Sequence, residues 1–200
     1  MIKVLSVFGD DPPLAQHEDA ALRLDGLRGY AVASRVGDEG DAPYTGYASA
    51  WFDDVPTALA HAPALRIDGV AAQIVATELI QRDTPARPEM VKAIWFFHRK
   101  QGTTPAQFRR HWLEVHGPLA MTHIANLRRY IQNHTVDEEY AGGEPDLDGL
   151  VEAWVDGMAA LTETEATEEH AFVRSDEANF LDTDRVTFMP VMERMIRLVA

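Results

Sequence analysis

Short, strongly apolar runs alternate with amphipathic stretches along this chain, and the order of the two occurs twice. Ile2 to Phe8 and Val91 to His98 are apolar at nearly every position and rich in β-branched and aromatic residues. A strand without a polar face is covered on both sides. Gly102 ends the second run, and Thr104-Pro105-Ala106-Gln107 has the chemistry of a helix start. Thr serves as N-cap, Pro occupies the first helical position and Gln stands three residues after the cap. That helix is expected to stop at Gly117-Pro118, with a further helical segment over Leu119 to Ala125. Strands are expected at 129–136 and 150–156, a helix at 164–174 and a last strand at 189–199. The first half repeats this order, with strands near 2–8, 29–36, 44–52 and 70–80.

The match between the halves extends to residues. Leu27-Arg28-Gly29-Tyr30 answers to Leu127-Arg128-Arg129-Tyr130, Ala50-Trp51-Phe52-Asp53 to Ala153-Trp154-Val155-Asp156, and Val4 to Phe8 to Ala93 to Phe97. Three correspondences in the same order indicate an internal repeat. The proline-punctuated stretch Gln81 to Glu89 reads as a linker and sets the boundary between units 1–88 and 89–200. Each unit has the strand-helix-strand-strand-helix-strand order of a ferredoxin-like α+β fold. Such a sheet carries helices on one face only. The expected architecture is therefore two tandem βαββαβ units, their bare antiparallel sheets packed face to face as an α/β barrel within one chain.

The segment Trp95 to Gly102, then Phe108-Arg109-Arg110-His111-Trp112 and His116-Gly117-Pro118-Leu119, resembles the EthD family. Arg129 to His134, Glu152-Ala153-Trp154 and Asn179-Phe180-Leu181-Asp182 extend the resemblance over about residues 90–196. It implies a dimeric α/β barrel, generally without a bound cofactor, from a family tied to ether degradation and to polyketide and aromatic pathways. The first half keeps the fold pattern but lacks the His-Trp and Gln-Asn-His elements.

Composition narrows the chemistry. The 200 residues include 32 acidic and 18 basic side chains, a formal net charge of -14, which disfavours a nucleic-acid partner. The absence of cysteine excludes disulfides, thiolate metal sites and a cysteine nucleophile, and fits a cytoplasmic location. The apolar N-terminus is too short for a signal peptide, and no run approaches the roughly 18 apolar residues of a membrane helix. No histidine spacing matches a metal motif, so neither a metal nor another cofactor is expected. Haem, with His134 or His170 as axial ligand, is the alternative this kind of barrel allows.

Candidate site residues come from the second half. Phe108, Trp112 and Val115 share one helix face, with His111 and His116 flanking it and Arg109, Arg110 and Glu114 towards solvent. His111 reads either as an acid/base or as a boundary residue bonded to a neighbouring backbone or carboxylate. His116 reads as a cap, protonated at a helix C-terminus. Alternation places Glu152 and Trp154 in the barrel interior and leaves the direction of Tyr130, Gln132 and His134 open. His134 answers to Ser34, Gln132 to Val32 and Glu152 to Ser49, whereas Tyr30/Tyr130 and Trp51/Trp154 are shared. The added polar groups therefore mark one site. His134 and His111 are its expected catalytic residues, with Glu152 orienting a histidine, and Tyr130, Gln132, Trp112, Trp154 and His116 form the ligand pocket. The expected function is that of an EthD-like, cofactor-independent enzyme of oxygenase, dehydratase or isomerase type, acting on a small apolar or aromatic metabolite. The alternative is a non-catalytic small-molecule-binding or accessory protein. A homodimer remains open.

Overall fold

Two strands longer than the rest organise the molecule. β4 (Val70–Asp83) pairs with β1 (Ile2–Phe8) through its first part and with β6 (Arg129–Thr135) through its last. β8 (Thr187–Leu198) pairs in the same way, first with β5 (Val91–Phe97) and then with β2 (Gly29–Arg35). With β3 (Gly46–Phe52) and β7 (Gly149–Val155) they form a closed barrel in the order β1-β3-β2-β8-β5-β7-β6-β4. The computed structural model describes residues 1–198 except 11, 39 and 86, and the side chains up to 196. The expected linker at 81–89 contains one residue outside this set, and Val199, the expected end of the last strand, also lies outside it.

Read separately, β4-β1-β3-β2 and β8-β5-β7-β6 have the same order, that of a split βαβ sheet. The two antiparallel sheets enclose one barrel, as expected, and they are also continuous at their edges. The sheets join edge to edge through β4–β6 and β8–β2, so the edge strands are paired across the seams and the bare faces become one interior. Leu5, Val7, Tyr47, Ile74, Ile94 and Met189 fill its middle. Outside, α1 (Leu14–Ala21) and α2 (Val55–Leu65) cover Val4, Phe8 and Tyr30 of the first half. α3 (Pro105–His111), α4 (Gly117–His123) and α6 (Glu168–Asp176) surround a second cluster that includes Phe97, Tyr130 and Val151, and α5 (Met158–Glu165) packs on a smaller one with Val91, Ala93 and Val155. The expected helix over 164–174 is thus two helices, and the acidic run 162–169 spans the end of α5 and the start of α6. Thr167 caps α6, and Glu168 and Glu169 lie in its first turn, where the helix dipole favours them.

One end of the barrel interior is charged. Lys3 Nζ lies 2.9 Å from Glu152 and 2.8 Å from Glu78. Lys92, at the equivalent place in the second half, is ion-paired with Glu193 and lies 3.0 Å from the Tyr47 hydroxyl and 3.5 Å from Glu152. Tyr47 itself donates to Glu152. Each ammonium also sits over an indole, Lys3 at 5.1 Å from the Trp51 ring and Lys92 at 4.2 Å from that of Trp154. Burial alone would raise the Glu152 carboxyl, but the two ammonium groups override it and hold it at about 2. Glu152 thus ties Lys3 and Tyr47 of the first half to Lys92 of the second.

Removing one partner of a buried ion pair leaves an uncompensated charge, at a cost of about 3–5 kcal/mol. Glu152→Leu is therefore expected to destabilise the fold by that amount in urea unfolding, and Ser49→Ala by less than about 1 kcal/mol. A Glu152→Leu loss no larger than that of Ser49→Ala would show that the cluster does not hold the halves together.

Candidate functional site

α3 begins as its sequence predicts, with Thr104 and Gln107 forming a reciprocal capping box and Pro105 in the first turn. Phe108 and Trp112 turn inward and are fully buried. The helix does not stop at Gly117-Pro118. It passes through one π-helical turn, Trp112–His116, and continues as α4. Pro118 has no N–H to give, and the wider turn bonds Gly117 N–H back to the Trp112 carbonyl. The phase of the helix shifts by one residue. Val115, expected on the buried face, is 42% exposed, and His116 takes its place inside. Instead of a charged C-terminal cap, His116 is a buried ring within a continuous helix, and burial lowers its pKa to about 4.

The same turn fixes Gln132. The Gln132 side-chain amide donates to the Trp112 carbonyl at 3.1 Å, and a Cβ on Gly117 would stand 2.6 Å from the Gln132 nitrogen. Only glycine lets the β6 side chain approach this closely. Gly149 plays the same part for the Trp112 ring, since a Cβ there would lie 2.6 Å from it.

These contacts settle which way β6 faces. Tyr130, Gln132 and His134 point outward to the helices, while Ile131, Asn133 and Thr135 alternate to the other face. Glu152 and Trp154 point inward, as expected. The expected set is therefore divided by the sheet. Glu152 bonds lysines and a tyrosine and orients no histidine, and Trp154 covers Lys92. His134 lies on the opposite face, its Nε2 2.8 Å from Gln132 Oε1 and its ring 4.4 Å from that of Trp112. His111 has the boundary role foreseen as its alternative, with Nε2 3.0 Å from both Asp176 oxygens. His116 Nδ1 reaches the same carboxylate at 3.2 Å, and Phe180 lies 5.0 Å from each imidazole. Arg109, expected in solvent, donates to the Thr135 carbonyl at 2.9 Å and pairs with Asp137. Among the described residues no three histidine or carboxylate side chains converge as a metal-binding set.

A small cavity of about 60 Å³ lies between the second-half sheet and its helices, lined by Trp95, Leu127, Tyr130, Val173, His116 and Glu177. It is apolar but for a few groups. The Tyr130 hydroxyl accepts from Trp112 Nε1 at 3.2 Å, and burial pushes its pKa up to about 12. Burial also pushes the Glu177 carboxyl up to about 7, although Arg174 Nε stands 3.0 Å away. Glu177 was not anticipated from the sequence, where it is one of 32 acidic side chains; it opens the short 3-10 turn Glu177–Asn179 that follows α6. Its depth is set by the chain reversal that brings Phe180 under α3.

The segment that forms this helix layer matches the EthD domain over residues 100–184. Residues 100–184 are an EthD domain. Among solved structures, an anthrone oxidase-like protein aligns with 100% of this chain and 95% of its own, at 12% identity and a TM-score of 0.66. A proposed monooxygenase from Fusobacterium nucleatum aligns over 97% of this chain and 92% of its own, at 9% identity and a TM-score of 0.59. A second proposed monooxygenase, from Lactobacillus acidophilus, covers 100% and 96%, at 9% identity and a TM-score of 0.54. At these identities the likeness is one of fold. No curated protein sequence matches the chain. The EthD domain thus supplies the helices over the cavity and, on its walls, His116, Tyr130 and Glu177, while Trp95 comes from β5 outside it.

Burial lowers the pKa of His17 and His116 to about 4 and, with Arg109 nearby, that of His134 to about 3. All three are neutral in the fold and take up protons when unfolded below about pH 6.5, so stability falls as pH falls towards 4. Glu177 acts oppositely, because its raised pKa adds stability as pH drops from about 7 to about 4.5. The balance is about two protons, and unfolding free energy is expected to drop by roughly 2–3 kcal/mol per unit between pH 6 and 5. A flat profile in urea titrations across that range would contradict these buried neutral rings.

Proposed function

We propose that the EthD domain of this chain is a cofactor-independent oxidative enzyme for a small apolar or aromatic metabolite, and that Glu177 is its acid/base group. The observation that carries this reading is the cavity itself, an apolar space with a carboxyl group near neutrality and a tyrosine hydroxyl on its walls. A general base works best with a pKa near the operating pH. Glu177 takes a proton from an acidic C–H or O–H of the substrate, and the Tyr130 O–H donates to the oxyanion that forms. The electron-rich anion then reduces dioxygen. For an anthrone the balance is anthrone plus dioxygen to anthraquinone plus water. His111 and His116 position Asp176, and through it the end of α6. Trp112 and Gln132 orient Tyr130.

A space of about 60 Å³ is smaller than an aromatic ring needs, so the helices over it must move aside to admit one. α6 buries only Val173, and α5 only Leu161 and Thr164, which makes this pair the natural lid. The repeated strand order and the matching residues support an origin by tandem duplication, with units 1–88 and 89–200. The chain closes its own barrel, so the site requires no second copy. No helix among the described residues is long and apolar enough to cross a membrane. With the lack of cysteine, this supports a place in the cytoplasm.

The test is oxygen-dependent conversion of anthrone, followed by absorbance under air and under nitrogen. Glu177→Gln is expected to lower kcat about 10²–10⁴-fold, the usual contribution of a general base. Tyr130→Phe should lower it less. The native rate should rise with pH through about 7 as Glu177 ionises. Saturable quenching of tryptophan fluorescence by anthrone without turnover would support the non-catalytic binding protein instead.

A further inference from the structure

A groove of about 440 Å³ crosses the outside of the barrel where the two halves meet. Val55, Thr77 and Leu79 of the first half line it, together with Arg109, Leu113 and His134 of the second. It follows from barrel closure. At the β4–β6 seam Thr77 pairs with His134, with α2 bordering the groove on one side and α3 on the other.

The proton inventory of this seam leaves one group unmatched. Gln132 gives its amide N–H to the Trp112 carbonyl, which turns its oxygen towards His134 Nε2 at 2.8 Å. An amide oxygen only accepts, so His134 Nε2 carries the hydrogen. In a neutral ring Nδ1 then holds a lone pair. Among the described residues this buried nitrogen has no hydrogen-bond partner, and the residue as a whole is 3% exposed. A buried acceptor left unpaired is costly, and such exceptions in a native fold call for an explanation.

We propose that this groove binds a small hydroxyl-bearing ligand, a phenol or an enol, whose O–H donates to His134 Nδ1 while its apolar body lies along Leu79 and Leu113. A donor is required, because Nδ1 offers a lone pair and no proton. The Arg109 guanidinium, held by the Thr135 carbonyl and Asp137, stands close enough to act electrostatically on the ring and would favour a polarised hydroxyl. A carboxylate brings no donor and satisfies only the arginine. The site is separate from the Glu177 cavity and does not depend on the activity proposed for it.

The experiment uses the full chain with ¹⁵N-labelled histidine and three probes: phenol, anisole and benzoate. Phenol is expected to bind saturably, to shift the His134 Nδ1 resonance and to bind about tenfold more tightly than anisole, equivalent to roughly 1.4 kcal/mol. His134→Phe, which keeps a ring against Trp112, should abolish the difference, whereas Glu177→Gln should preserve it. Equal affinities for phenol and anisole would overturn the proposal, as when a water molecule alone satisfies Nδ1. Tighter binding of benzoate would also overturn it, as would phenol binding that leaves the Nδ1 resonance unmoved. If His134→Phe does not fold, the comparison of phenol with anisole on the native chain decides the matter.

Discussion

Everything else in this molecule depends on two seams, β4 with β6 and β8 with β2. Each half is a four-stranded sheet with helices on one side, and alone it would leave an apolar face and two unpaired edges in water. The long strands resolve both problems at once. Each finishes its own sheet and then continues into the other, so the edges vanish and the bare faces become the barrel core. The ion cluster at one end follows from the same closure. Lys3 and Lys92 are held inside the barrel by a carboxylate of their own half, Glu78 or Glu193, and by Glu152 or Tyr47 of the opposing one.

Much of this was legible in the sequence. Apolar runs marked the strands, and Thr104-Pro105 marked the start of α3. The repeat Tyr30/Tyr130 with Trp51/Trp154 gave the two-unit plan, and the His-Trp and Gln-Asn-His elements pointed to the EthD domain. Alternation placed Glu152 and Trp154 correctly, because Val151, Ala153 and Val155 leave the other face uniformly apolar. It could not place Tyr130, Gln132 and His134, since Ile131, Asn133 and Thr135 are themselves mixed. Lys3 and Lys92 were overlooked although the signal was there, as single charges at matching positions in two apolar strands.

The site was less legible, for physical reasons. A periodicity of 3.6 residues assigns Val115 to the buried face. The π turn adds a residue to one turn and hands that position to His116. The cause is distributed over Pro118, which lacks a donor, Gly117, which leaves room, and Gln132, which adds a second donor to the Trp112 carbonyl. No local pattern contains all three. Glu177 is concealed in the same way, by a burial that arises from how Asp176 and Phe180 dock on α3 rather than from its neighbours in the chain.

The continuous chain has one more consequence. A barrel assembled from two identical polypeptides must carry every side chain in duplicate, on both sides of its symmetry axis. A second acid where Ser49 stands would bring two carboxylates to the same pair of ammonium groups, and its partner Tyr47 would recur as well. Joining the halves in one polypeptide lifts that requirement. The halves can then differ at matching positions, with Ser34, Val32 and Ser49 in one and His134, Gln132 and Glu152 in the other. The asymmetry of the halves at these positions is thus a freedom that covalent linkage confers and that rotational symmetry would forbid.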